Sequence, residues 1–168
     1  MHDIMLRTFT MKRCFLFVLL LGLFVAAAPA QSIIFVVRHA EKMDNAGNDP
    51  DLADAGRARA ERLAKMLKDA GISAVYTTEF KRTQQTAAPL AKALGLNVTI
   101  VPAKETAPLT AKLRDLHANA LVVGHGNTIP DLIKAFDITT PISIAENDYD
   151  NLFVVVLDEK PRLIHLHY

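Results

Sequence analysis

The sequence predicts an α/β fold: a three-layer α/β/α sandwich on a mostly parallel sheet, closed by a C-terminal antiparallel hairpin. Two observations carry that class. Four short apolar runs, IIFVV (33–37), SAVYT (73–77), NVTIV (97–101) and ALVVG (120–124), alternate with stretches of helical periodicity, the pattern of βαβ units. Two further runs, NLFVVVL (151–157) and RLIHLH (162–167), follow one another across a charged turn containing Pro161, which puts an antiparallel pair at the end of the sheet.

The helices follow in order. Residues 54–70 place Ala55, Ala58, Leu63, Met66, Leu67 and Ala70 on one face, and Gly71 supplies the usual stop. Residues 80–94 repeat the pattern with Phe80, Thr83, Ala87, Leu90, Ala91 and Leu94, and Pro89 is expected to kink that helix or cost it one main-chain bond. A third helix is expected over 108–117, closed by His117, and a fourth over 128–137. The fourth has Thr128 as its cap and Pro130 in its first turn.

The first thirty residues differ from the rest. Met11-Lys12-Arg13 precedes an almost wholly apolar run from Cys14 to Ala28, and Ala28-Pro29-Ala30 fits a small-x-small cleavage site. This reads as a secretory signal peptide over 1–30, starting at Met1 or Met11, with one domain over 31–168 and a secreted or periplasmic product that keeps no membrane insertion after cleavage. Removal takes Arg7, Lys12, Arg13 and Asp3, and leaves 16 Lys and Arg against 17 Asp and Glu, net −1. A nucleic-acid partner is not expected from that balance. The single cysteine, Cys14, lies in the removed segment, so no disulfide, thiolate nucleophile or thiolate metal site is expected in the mature chain.

In open α/β sheets ligands sit beyond the carboxyl ends of the strands. Arg38 and His39 leave the first strand, Arg82 begins the helix after the second, and His125 leaves the fourth between Gly124 and Gly126. Two arginines and two histidines on one rim suit a phosphoryl group. Arginine offers forked cationic donors, a neutral imidazole is a competent nucleophile toward phosphorus, and a second histidine can donate to the equatorial oxygens.

The segments VVRHAEK, DPDLADAGRARAERLA, TTEFKRTQQTAAPLA and VVGHGNT, in that order, resemble the histidine phosphatase superfamily (phosphoglycerate mutase-like). The resemblance implies a metal-independent phosphoric monoester hydrolase without a cofactor. In it His39 becomes phosphohistidine, and Arg38, Arg82 and His125 bind the phosphoryl group. Asn45, six residues after His39, is implied as a further phosphate contact. Glu105, after the third strand, is the leading proton donor for the leaving group, with Glu41 and Asp131 as fallbacks. The chain departs from the family in having Ala53 after Leu52, where Ser or Thr is usual, so capping of the first helix is expected to pass to Asp51 or Asp54. Gly126 replaces the Asp of the phytase and acid-phosphatase branch, which implies the other branch.

The expected substrate is a small phosphorylated molecule (a sugar phosphate or an envelope glycan phosphate) or a phosphoprotein. The size argues against the large relatives with added helical segments, and the signal peptide counts against the small phosphohistidine protein phosphatases, which are cytoplasmic. A non-catalytic phosphate- or sugar-phosphate-binding protein on the same fold is the alternative. A metal-dependent hydrolase is disfavoured by the lack of a ligand cluster, with His165 and His167 read as an edge-strand pair.

Overall fold

The computed structural model describes residues 31–44 and 47–168. The expected signal peptide and Asn45 lie outside the described residues. Six strands, β1 (Ser32–Arg38), β2 (Ile72–Thr77), β3 (Val98–Ile100), β4 (Asn119–Gly124), β5 (Asn151–Leu157) and β6 (Arg162–His167), form one sheet in the order β3-β2-β4-β1-β5-β6. The β3–β2, β2–β4 and β4–β1 pairs are parallel, and β1–β5 and β5–β6 are antiparallel. Four helices accompany them: α1 (Asp54–Leu67), α2 (Lys81–Leu94), α3 (Thr106–Asp115) and α4 (Ile129–Lys134).

The alternation of side chains along β1 explains the three layers. Phe35 and Val37 face α1 and α2, packing with Leu63, Leu67, Ala87 and Leu90. Ile34 and Val36 face the opposite layer, with Leu113 of α3 and Ile129, Leu132 and Ile133 of α4. A central strand covered on both faces reads as a near-continuous apolar run, and this one does from Ile33 to Val37, ending at Arg38. The edges are shorter or more polar. β3 spans three residues where five were expected, and on β6 Ile164 and Leu166 are exposed.

The helices differ from expectation at their ends. α1 stops at Leu67, three residues early, and the chain turns through Gly71 at φ +65°. α2 runs through Pro89 uninterrupted, so the proline costs a main-chain bond without ending the helix. α3 starts at Thr106, with Pro108 in the first turn where no N–H is needed, and His117 lies beyond its end at φ +49°. α4 ends at Lys134.

Neither Asp51 nor Asp54 caps α1, which corrects the sequence expectation. Asp51 accepts from Gln85 Nε2 at 2.7 Å, Asp54 pairs with Arg57, and the Ala53 N–H donates to the Glu41 carbonyl at 3.0 Å. The start of α1 is held instead by close approach to Glu41. A Cβ at Gly56 would collide with the Glu41 carbonyl oxygen and crowd the backbone around it.

Parallel register aligns the ends that matter. Arg38 pairs with Gly124, and Thr77 with Val123, so β1, β2 and β4 finish together. The antiparallel β5 begins at that edge, Val37 pairing with Leu152, and its preceding loop reaches the same rim. The Gly56–Glu41 contact leads to a direct expectation: Gly56→Ala lowers stability by more than about 1–3 kcal/mol, the range for overpacking, read as a drop in the urea midpoint at constant slope.

Candidate active site

Arg38, His39, Arg82 and His125 line one open cleft of about 470 Å³ at this rim, together with Phe80, Ala103, Ile144 and Glu146. β1 and β4 set the two histidines side by side, with ring centroids 5.4 Å apart and edge to face. The His39 N–H donates to the Gly124 carbonyl at 2.9 Å, which carries the ladder one residue past the end of β1. The next N–H, of Ala40, donates to Thr86 Oγ1 at 2.9 Å and ties this turn to α2.

His39 has a defined proton arrangement. Its Nδ1 lies 2.8 Å from the Ala40 carbonyl oxygen, and a carbonyl can only accept, so Nδ1 carries the hydrogen. Nε2 is left with a free lone pair. Burial lowers the pKa of His39 to about 4, opposed by the bond to Ala40 and reinforced by His125, Arg38 and Arg82. His125 is also lowered to about 4, first by burial and then by Arg82, with Glu79 opposing. Both rings are therefore neutral near pH 7.

The arginines are positioned by different partners. Arg38 Nη1 donates to the carbonyls of Ala145 (2.7 Å), Glu146 (2.6 Å) and Asp148 (3.3 Å), and its guanidinium lies 4.4 Å from the centre of the Tyr149 ring. Arg82 stacks over Phe80 at 4.4 Å and has Asp49 Oδ1 3.8 Å from its Nη1. The Nε of each arginine is buried without a partner among the described residues. Two guanidinium groups beside two neutral histidines line the cleft with donors and positive charge, which suits an anion with several oxygens.

The remaining candidates fall elsewhere. Glu105 does not line the histidine cleft. It is half-buried ahead of α3 and lines a smaller adjoining cavity with Thr77, Thr78 and Thr128. Glu41 is engaged by Arg59 through three hydrogen bonds of 2.7–3.0 Å. Burial alone would raise its carboxyl, but the hydrogen bonds from Arg59 hold it below the usual carboxylate range. Asp131 is exposed in the first turn of α4. On β6, His165 stacks on Phe153 and bonds Asn151, and His167 bonds Asp150. Among the described residues no group of three or more His, Cys, Asp or Glu is placed to hold a metal, and no helix is long and apolar enough to cross a membrane.

The family model of the histidine phosphatase superfamily (branch 1) matches residues 34–107, which span Arg38, His39 and Arg82. Over those residues the chain is similar to the histidine phosphatase superfamily. Among curated relatives, the probable phosphoglycerate mutase GpmB of Yersinia enterocolitica is 33% identical over 94 residues, 52% of this chain and 40% of the relative. That of Cronobacter sakazakii is 29% identical over 104 residues, 58% of this chain and 44% of the relative. The chain thus spans less than half the length of these relatives. Solved structures agree in fold over more of it. The protein histidine phosphatase SixA complexed with tungstate has a TM-score of 0.68 at 21% identity, covering 80% of this chain and 96% of that one. A putative α-ribazole-5′-P phosphatase from Escherichia coli has a TM-score of 0.67 at 16% identity, covering 82% and 96%.

The roles of three threonines at this site did not emerge from the sequence. Thr78 Oγ1 lies 3.0 Å from His125 Nε2 and 2.9 Å from Thr83 Oγ1, and Thr86 holds the turn after His39. Thr83 was legible only as part of a buried helical face, and Thr78 and Thr86 carried no separate signal. Thr128 does not cap α4 with its side chain; its Oγ1 accepts from the His125 N–H at 3.2 Å and shapes the turn.

The depressed histidines fix a pH dependence of stability. Below about pH 6.5 the unfolded chain binds protons at these positions that the folded chain refuses until about pH 4. Stability is therefore expected to fall as pH is lowered through that window. Thermal melts of the His39→Asn/His125→Asn double variant should show a flatter slope there than wild type.

Proposed function

We propose that this chain is a phosphatase that hydrolyses phosphomonoesters through a phosphohistidine on His39. The observation that carries the reading is the Nδ1–H bond of His39 to the Ala40 carbonyl, which leaves Nε2 unprotonated beside Arg38, Arg82 and His125. The match of residues 34–107 to the histidine phosphatase family model supports it, as does the similarity to a probable phosphoglycerate mutase and to the fold of the protein histidine phosphatase SixA.

In this reading the phosphoryl oxygens draw on the guanidinium groups of Arg38 and Arg82 and on His125, all of which line the cleft, with Asn45 as a further contact. His39 Nε2 attacks in line, the P–O bond to the leaving group breaks, and water then attacks phospho-His39 to release phosphate. The arginines neutralise charge on the equatorial oxygens in both steps. No metal takes part. Glu105 lines the adjoining cavity and donates to the leaving oxygen of a substrate whose leaving group extends past Ala103 and Thr128 into it. The substrates are small phosphorylated molecules such as sugar or envelope glycan phosphates, or phosphoproteins, met outside the cytoplasm after removal of residues 1–30.

Incubation with a ³²P-labelled monoester followed by a rapid quench should leave acid-labile label on His39. His39→Ala should carry none and should not turn over p-nitrophenyl phosphate; turnover by that variant overturns the scheme. Wild-type activity should be unchanged by EDTA. Glu105→Gln should slow an alkyl phosphate by about 10²-fold, a typical general-acid effect, while hardly slowing p-nitrophenyl phosphate, whose leaving group needs no proton.

A further inference from the structure

The hydrogens around His125 can be counted. Thr83 Oγ1 lies 2.7 Å from the Phe80 carbonyl oxygen, which can only accept, so the Thr83 hydroxyl hydrogen points there. The 2.9 Å contact between the Thr78 and Thr83 hydroxyls then takes its hydrogen from Thr78. That leaves Thr78 Oγ1 as an acceptor toward His125 Nε2 at 3.0 Å, and the imidazole must supply that hydrogen. Any other assignment leaves a pair of oxygens facing each other without a hydrogen. Thr78 is 7% exposed and Thr83 fully buried, so solvent does not compete.

A neutral His125 protonated on Nε2 has a lone pair on Nδ1. That nitrogen makes no hydrogen bond among the described residues and is not enclosed, so it opens to the cleft that His125 lines. A lone pair repels a phosphoryl oxygen. For His125 to donate to bound anion it must first gain a proton on Nδ1.

The geometry points to Thr78 and Thr83 as positioning residues that hold His125 in the Nε2–H form, so that binding of a phosphoryl group takes up one proton at His125 Nδ1. This rests on the phosphoryl-binding reading of the cleft. A phosphomonoester arriving as the monoanion supplies the proton itself: it passes from the phosphate oxygen to Nδ1, leaving a dianion against Arg38, Arg82 and an imidazolium. A dianion instead draws the proton from solvent. The groups around His125 set the balance. Arg82 from α2 and Arg38 from β1 oppose the added charge and Glu79 after β2 favours it, while neutral His39 from the end of β1 and Glu146 before β5 line the same cleft and Glu105 lies beyond Thr78 in the adjoining cavity. The bound anion tips the balance by cancelling the arginines.

Tungstate, a dianion near pH 7.5, is a probe that brings no proton of its own. Titration calorimetry in buffers of different ionisation enthalpy should give an uptake of about one proton per tungstate bound. In ¹⁵N-histidine-labelled protein, His125 should show a protonated Nε2 and bare Nδ1 in the free state, with Nδ1 becoming protonated in the complex. Thr78→Val, which removes the acceptor and frees the tautomer, should cut the uptake by half or more; Thr78→Ser should retain it. Failure of tungstate to bind, binding without proton uptake, a proton arriving at His39 instead, or full uptake in Thr78→Val each overturns the inference. Absence of monoester turnover with proton-linked tungstate binding intact would remove the phosphatase reading and leave this one standing.

Discussion

His39 donates its backbone N–H to the Gly124 carbonyl over 2.9 Å, extending the β1–β4 ladder by one bond beyond its last residue pair. Both histidines depend on that bond. It keeps the two strand ends parallel for the residue at which each chain leaves the sheet, and so sets the spacing of the rings. Cα atoms of paired neighbouring strands lie about 4.8 Å apart. The 5.4 Å between ring centroids is therefore a property of the sheet more than of the side chains. The apolar core on both faces of β1 makes the spacing rigid, because neither strand can shift register without moving every buried residue to the wrong layer.

Rigid placement lets the site keep charges close together that would otherwise move apart. Arg38 and Arg82 are held near two imidazoles that respond by staying neutral, and each guanidinium is supported by an aromatic face, Tyr149 or Phe80. The support is asymmetric. Arg38 is satisfied at Nη1 by main-chain carbonyls, and Arg82 by the long contact with Asp49. Neither partner satisfies Nε among the described residues. A neutral His39 keeps the Nε2 lone pair that the proposed attack on phosphorus requires.

The sheet order aside, most of this arrangement was legible where a residue type contradicted its setting. Arg38 and His39 ending a buried apolar strand, Arg82 at the wrong pole of a helix dipole, and His125 between two glycines each broke a local rule, and all four line the cleft. What stayed hidden broke no rule. Thr78 fits a strand end and Thr83 a helix face, and the chain of hydroxyls from Thr83 through Thr78 to His125 exists only once β2 and β4 are paired. Glu41 stood beside His39 in sequence and looked equally suited to catalysis, but Arg59 on α1 claims its carboxylate, a partner that spacing alone does not announce. Glu105 was placed at the right rim but on the far side of Ala103 and Thr128, a difference of one cavity wall.

The grip of Arg38 on the loop before β5 has a consequence for how such a site changes over generations. Its three acceptors are the main-chain carbonyls of residues 145, 146 and 148, and none is a side chain. Replacing Ala145, Glu146 or Asp148 leaves those acceptors in place. The stretch that borders the mouth of the cleft is thus free to vary in composition while keeping its path. The lining of the rim can drift there while the floor of arginines and histidines stays in place.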